Sequence, residues 1–290
     1  MLIKHLLEDD NQGNYRQIIE RVANSKYFNE MYSMQLKTLE PEDLENDNLV
    51  NEFANIFRGS HKYTTPYLVI TPYSENRIPT DTNIEIHKYV NMLSSEKFGV
   101  PIRNLIFADK NIKTASEYGN PYVLFPLGDY RLFYSENVKD FTAHYNTDSD
   151  MIFFIVNEVL LQFQDTYDEM IMESLTDTFE RYEFDFKNLK TFDKSLKKLA
   201  RKMASEYYND PEGISNYKQS DVKILEKRFY EYGKKIFKQF NNYVNSIEVT
   251  QSMHDINNEE IMIQADEIAA VYAENFNDFL SEVLKIKKGS

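Results

Sequence analysis

Two residues far apart in the chain, Arg58 and Glu260, are of types that can hold an anion and offset a developing positive charge. An arginine presents a planar, permanently charged fork that can grip phosphate oxygens bidentately. A glutamate can hydrogen-bond a sugar and offset positive charge developing at its anomeric carbon, as carboxylates do in glycosidases. Arg58 follows the apolar run Phe53–Phe57 and precedes Gly59, whose missing side chain lets its backbone approach a ligand closely. Glu260 stands in Asn258-Glu259-Glu260-Ile261-Met262-Ile263, where acids run into an apolar strand-like segment. Each has an ordinary reading too. Phe-Arg-Gly also describes an arginine in a surface turn, and paired acids also begin exposed strands.

A second tier lies between them. Arg77 and Arg103 could cradle phosphate, or pair structurally with Asp81 and Asp109. Asp81 could equally serve as a helix cap, and His87, near the second turn of the helix that follows, fits a packed core histidine better than a catalyst. Asp109 and Asn111 end the short run Ile106-Phe107-Ala108 and offer hydrogen-bonding groups there.

The order of these elements resembles a mono-ADP-ribosyltransferase, in particular the small transferases of tailed phages. That family uses an arginine, a Ser-Thr-Ser-like strand end and a Glu-x-Glu motif. Ile56-Phe57-Arg58-Gly59 is similar to the first. Ile106 to Asn111, leading to Thr114-Ala115-Ser116-Glu117-Tyr118-Gly119, is similar to the second in its alanine and aromatic-glycine step. It departs in the Ser-Thr-Ser itself, where Asp109 and Asn111 stand instead. Glu260 occupies the place of the catalytic glutamate, with Asn258 in place of the first acid.

The resemblance implies NAD as substrate, held by Arg58, Gly59, Asp109, Asn111, Arg77 and Arg103, and ADP-ribosyl transfer through an oxocarbenium-like state with Glu260 as catalyst. Asn258 at the first position implies an acceptor other than an arginine side chain, or hydrolysis of NAD. It also implies an α+β fold with a split sheet. A phage or prophage structural or interaction protein on a degenerate fold of this kind is the alternative, with its Tyr- and Phe-rich helices as the docking surface.

Composition narrows the remaining classes. The 290 residues are 42% hydrophobic and 14% aromatic, enough for a real core. There is no cysteine, which removes disulfide frameworks and thiolate metal sites. The five histidines His5, His61, His87, His144 and His254 have no metal-ligand spacing, and no Gly-rich phosphate loop or Gly-x-Ser-x-Gly occurs. No apolar run approaches membrane-spanning length, so a soluble, cytoplasmic protein is expected, in the host cell if phage-encoded. A net charge of −14 argues against general nucleic-acid binding. One basic stripe, Lys187 to Lys202, runs against that balance. It reads first as a solvated helix face, and second as a contact for a protein or nucleic-acid acceptor.

The elements that must position these residues are legible by period. A helix is expected over Tyr15–Leu36, strands at Phe53–Phe57 and Tyr67–Thr71, and a helix over Ile84–Lys97 capped by Thr82 or Asn83 and ended at Gly99. A strand at Leu105–Phe107 and a helix at Lys113–Tyr118 follow. Pro121–Phe125 and Asp129–Tyr134 read as two strands around Pro126-Leu127-Gly128. Three amphipathic helices come next, over Asp150–Tyr182, Leu189–Tyr207 and Val222–Ile247, with a break at Asn209–Gly213. A returning strand, Asn257–Ala265, and a helix from Ala273 to Lys285 close the chain. Such a strand needs a sheet, and the front half supplies the available one. Hence residues 1–147 are read as the front of one α+β domain, 148–250 as an inserted antiparallel helical lobe, and 251–290 as its completion.

Overall fold

The computed structural model describes residues 11–39, 50, 53–75, 77, 82–141, 144, 169–209, 219–252, 256 and 260–289. The fold is α+β, and it divides into two compact units. A sheet unit falls within Met1–Glu75, Asn104–Lys139 and Ile247–Ser290, and a helical unit within Asn76–Arg103 and Asp140–Ser246.

The sheet unit opens with α1 (Asn11–Asn24) and α2 (Lys26–Met31), continued by a π-helical turn at Tyr32–Leu36. The single helix expected here is broken at Ser25. Its extended backbone and its hydroxyl, which accepts from the Phe28 N–H at 3.1 Å, start a new helix while the apolar face runs on. Strands β1 (Phe57–Ser60), β2 (Tyr67–Ile70), β3 (Ile106–Asp109), β4 (Asn120–Ser135), β5 (Ile247–Thr250) and β6 (Glu260–Tyr272) form one antiparallel sheet in the order β2-β6-β3-β1-β4-β5. A further β4–β6 pairing joins the middle of that order into a ring, so the sheet closes in barrel-like fashion. Two long strands make this possible. β6 takes β3 and β2 in succession along one edge and β4 along the other, while β4 takes β1 and β5 on its far edge.

Several boundaries differ from expectation for physical reasons. β1 begins at Phe57, so Arg58 and Gly59 sit inside the ladder instead of after it. The two strands expected around Pro126-Leu127-Gly128 are one strand, β4. The register slips between Leu127 and Tyr130, where β4 spends one residue more than β6, and Gly128 takes φ 74 there. Pro126 itself stays in register opposite Ile268, so the proline sits beside the bulge without ending the strand. Ile247, expected as the end of a helix, instead opens β5, and Ile247–Thr250 pairs with Leu132–Ser135. β6 extends to Tyr272, well past Ala265, and then passes through a short 3-10 turn into α8 (Phe276–Gly289). Asn257, Asn258 and Glu259 lie outside the described residues.

The core of this unit lies between the sheet and the terminal helices. Phe125, Phe276 and Phe279 meet there, with ring centroids 6.3 and 5.6 Å from Phe125, and Tyr27 and Phe28 approach Phe125 from α2. Between β3 and β4 runs the short helix α4 (Ile112–Glu117).

The helical unit holds α3 (Ile84–Phe98), α5 (Glu169–Glu180), α6 (Leu189–Asn209) and α7 (Gln219–Ser246). Asn83 caps α3 through the Glu85 N–H at 2.9 Å, and Gly99 ends it in the left-handed region at φ 75. An aromatic cluster of Tyr89, Phe184, Phe192 and Phe237 binds α3, α6 and α7 together. The Tyr89 hydroxyl donates to Asn241, and Lys97 donates to the carbonyls of Val244 and Asn245. The expected helical break at Asn209–Gly213 and the first part of the long helix from Asp150 fall mostly outside the described residues. Among those described, no helix is long and apolar enough to cross a membrane.

Candidate functional site

The end of the sheet where β1, β3 and β6 meet gathers five of the residues singled out above. β1 touches β3 at one pair, Phe57 opposite Asp109, and Asp109 lies opposite Glu260 on β6. Phe57, Asp109 and Glu260 therefore form a row across three strands, and Arg58 is one residue out of that row. Two strand spacings separate the Arg58 and Glu260 backbones, about 10 Å.

Beyond Phe57 and Asp109 the two strands part. Arg58 fills the place of the missing ladder: its Nη1 donates to the Phe107 carbonyl at 2.7 Å. Its Nε is buried and has no acceptor. No carboxylate pairs with the guanidinium among the described residues. A cation drawn partly out of water with one neutral acceptor is under-compensated, because burial of a charge is costly unless it is paired.

Glu260 opens β6, half buried, with its N–H donated to the Lys139 carbonyl at 3.1 Å. The turn after β3 is tightly organised. Asp109 Oδ1 accepts from the Asn111 N–H at 2.5 Å, and Asn111 Oδ1 accepts from the Lys113 N–H at 2.9 Å. Asn111 is thus the N-cap of α4, and each residue spends one oxygen on the turn.

Gly59 also has a structural duty. A Cβ there would lie 1.7 Å from the Ala115 carbonyl oxygen and 3.0 Å from the Tyr118 carbonyl carbon. The backbone that approaches Gly59 is that of α4.

Comparison with protein-family models, curated proteins and solved structures returns no match.

Arg77, Arg103 and His87 belong to the helical unit. Arg103 is 5% exposed, donates from Nη2 to the Thr82 hydroxyl at 3.2 Å, and lies with its guanidinium carbon 4.4 Å from the centre of the Phe141 ring. Its backbone N–H donates to Asn91 Oδ1 at 2.8 Å. These contacts make it a packing and bonding residue of that unit. His87 is 4% exposed within α3, as a core histidine would be. Asp81 and Asn258 lie outside the described residues.

One neighbour of the site escaped sequence reasoning. Lys110, between Asp109 and Asn111, donates from Nζ to the Ile256 carbonyl and so ties the β3–α4 turn to the approach to β6. Burial lowers its pKa below the usual lysine value. No pattern flags a single lysine between two polar residues; only the pairing of β3 with β6 gives it meaning.

Proposed function

We propose that the chain is an NAD-dependent ADP-ribosyltransferase of the cytoplasm, with an ADP-ribosyltransferase-like split sheet, an inserted antiparallel helical lobe and its site at the β1–β3–β6 end. The observation that carries this reading is the state of Arg58. Its guanidinium is set where two strands part, bonded to one carbonyl, with a buried Nε unmatched and no carboxylate partner among the described residues, two strands from Glu260. The diphosphate of NAD supplies the missing counter-charge, and charge-assisted hydrogen bonds to phosphate are roughly twice as strong as neutral ones.

In this reading Arg58 fixes the dinucleotide. The bond between the ribose anomeric carbon and the nicotinamide nitrogen breaks, both electrons leaving with nicotinamide. Glu260 stabilises the oxocarbenium-like ribose, and an acceptor nucleophile then bonds the anomeric carbon and gives up its proton to solvent. Asp109 and Asn111 shape the turn beside Glu260, each with one oxygen already committed.

The test is transfer of label from NAD into protein, nucleic acid or free ADP-ribose, comparing wild type with Arg58→Ala, Arg58→Lys and Glu260→Gln. Losing an electrostatic stabiliser of the transition state costs about 100-fold or more, so Glu260→Gln should fall by at least that while retaining NAD binding. Arg58→Ala should lose binding, and Arg58→Lys should recover part of it as a point charge.

A second reading, a non-enzymatic structural or interaction protein, draws on one specific observation: Gly59, Asp109 and Asn111 all have structural duties. Absence of label together with absence of NAD binding by calorimetry would select it.

A further inference from the structure

The basic stripe on α6 does not stand alone. α6 and α7 run antiparallel, and side chains from successive turns of α6 meet α7 along one furrow. Arg201 meets Glu226 at 3.2 Å, Lys197 Nζ lies 5.1 Å from the centre of the Tyr230 ring, and Asp193 accepts from the Tyr230 hydroxyl at 2.6 Å. Lys234 Nζ lies 5.7 Å from the same ring. Lys190 and Lys238 lie one turn further along the two helices in the same direction. The two helices together carry twelve lysines and arginines against five carboxylates, in a chain whose net charge is −14.

The cations are ordered as well as numerous. Lys190, Lys194 and Lys198 recur one turn apart on α6, about 6 Å per step. On α7, Lys223, Lys227, Lys234 and Lys238 fall on the stripe that contains Tyr230, and all seven of these lysines are exposed. The carboxylates present are largely engaged: Asp193 with Lys197 at 2.8 Å, Glu206 with Lys202 at 3.7 Å, Glu231 with Lys227 at 3.7 Å. Lys190, Lys194, Lys198 and Lys238 have no ion-pair partner among the described residues.

We propose that the paired faces of α6 and α7 form a docking surface for the phosphate backbone of nucleic acid, bound without sequence preference. A stable protein interface needs a desolvated apolar or aromatic centre. Here Tyr230 is the ring in the furrow and its hydroxyl is already on Asp193, while the exposed apolar side chains Leu189 and Ile224 stand singly on different helices. Regularly spaced, hydrated point charges along about 16 Å of helix, from Lys190 to Arg201, suit a regularly spaced polyanion instead, about five nucleotides of one duplex strand. Lysine lacks the planar fork that reads guanine edges bidentately, so sequence preference is not expected. The surface stands on the helical unit and does not depend on the proposed transfer reaction.

The experiment is fluorescence anisotropy of a labelled single strand and a labelled duplex of the same length, titrated with the full chain at several salt concentrations. About four phosphate contacts give a loss of about 100-fold in affinity between 50 mM and 200 mM salt. The quadruple variant Lys190→Gln, Lys194→Gln, Lys198→Gln, Lys238→Gln should bind at least tenfold more weakly at low salt with an unchanged circular dichroism spectrum. Asp193→Asn, which removes the carboxylate from the furrow and releases Lys197, should bind more tightly than wild type. No binding at low salt, salt-insensitive binding, or a quadruple variant equal to wild type would overturn the proposal. Poly-glutamate competing as well as nucleic acid would overturn it in favour of an acidic-protein partner.

Discussion

Arg58 in the sheet unit and Lys190, Lys194 and Lys198 of α6 in the helical unit are cations that no described carboxylate neutralises, yet the two cases carry different information. Arg58 is half buried and its Nε has left water without finding an acceptor. Lys190, Lys194 and Lys198 keep their hydration and are screened beyond about 10 Å at 0.1 M salt. One under-compensated buried cation is meaningful by itself, because its desolvation goes uncompensated. An exposed lysine means nothing until several are held in a row by a rigid pair of helices. The first kind of site should be recognised through affinity for a specific anion, the second through dependence on salt.

The same contrast holds for two glycines, and it gives the largest effect. A Cβ on Gly59 would strike the Ala115 carbonyl oxygen at 1.7 Å, a backbone atom of α4 that cannot step aside. On Gly233 in α7 it would meet Leu196 Cδ1 at 2.9 Å, the far end of a flexible side chain. Overpacking against backbone should make Gly59→Ala cost about 3 kcal/mol or more. Gly233→Ala gains about 1 kcal/mol of helix propensity, which offsets the movement of Leu196, so it should stay within about 1 kcal/mol of wild type. Urea unfolding of both variants checks this. Comparable losses would mean that α4 is softer than its contacts with β1 imply.

A smaller effect separates the units at high pH. Burial pushes the pKa of Tyr27, and with it those of Tyr67 and Tyr130, well above the usual phenol value, and all three lie in the sheet unit. In the helical unit Tyr89 is pushed up to about 12, chiefly by burial. A raised folded-state pKa means that the neutral phenol is favoured in the native state. That stability is complete below about pH 10 and is lost as pH rises from there through the folded value, with a limiting slope of about 1.4 kcal/mol per pH unit for each group. Tyr27→Phe should therefore raise the midpoint of alkaline unfolding more than Tyr89→Phe does, since Tyr89→Phe also forfeits the bond to Asn241. Absorbance of tyrosinate against pH reads both midpoints. A reversed order would place the alkaline weak point in the helical unit.

Where the sequence was readable, a local signal matched a local cause. Asn83 and Gly99 bound α3 because capping and the left-handed cap are decided by adjacent residues. The strand after the helices does pair with strands of the front half, since β6 had apolar residues to bury and needed a ladder. What was not readable is what pairing decides. Nothing local tells a turn at Pro126-Leu127-Gly128 from a bulge, because both interrupt the ladder; the choice belongs to β6. The row of Phe57, Asp109 and Glu260 depends on closure between strands distant in sequence. Asp109 and Asn111 were legible as polar residues after a strand, but not as turn and cap residues, for the same side chains serve either use. The cationic face was half legible. The stripe to Lys202 is a run in sequence, whereas Lys234 and Lys238 join it only because α7 packs antiparallel to α6.

The smallest effect tests whether surface charge in the helical unit serves the fold at all. Arg201 and Glu226 bridge α6 and α7 at 3.2 Å, with side chains 76% and 29% exposed. An ion pair that open to solvent is worth about 0.5 kcal/mol or less, because water and salt screen it and two long side chains must be held still. A double-mutant cycle of Arg201→Gln and Glu226→Gln in urea should therefore give a coupling near that value. The aromatic packing of Phe192 and Phe237, with centroids 4.7 Å apart, holds the helices together instead. Glu226→Gln alone, however, releases Arg201 into the cationic face. It should strengthen nucleic-acid binding at low salt and steepen its salt dependence while leaving the unfolding midpoint nearly unchanged. A variant that instead lost stability without gaining affinity would assign these charges to helix pairing and separate the α7 lysines from the stripe on α6.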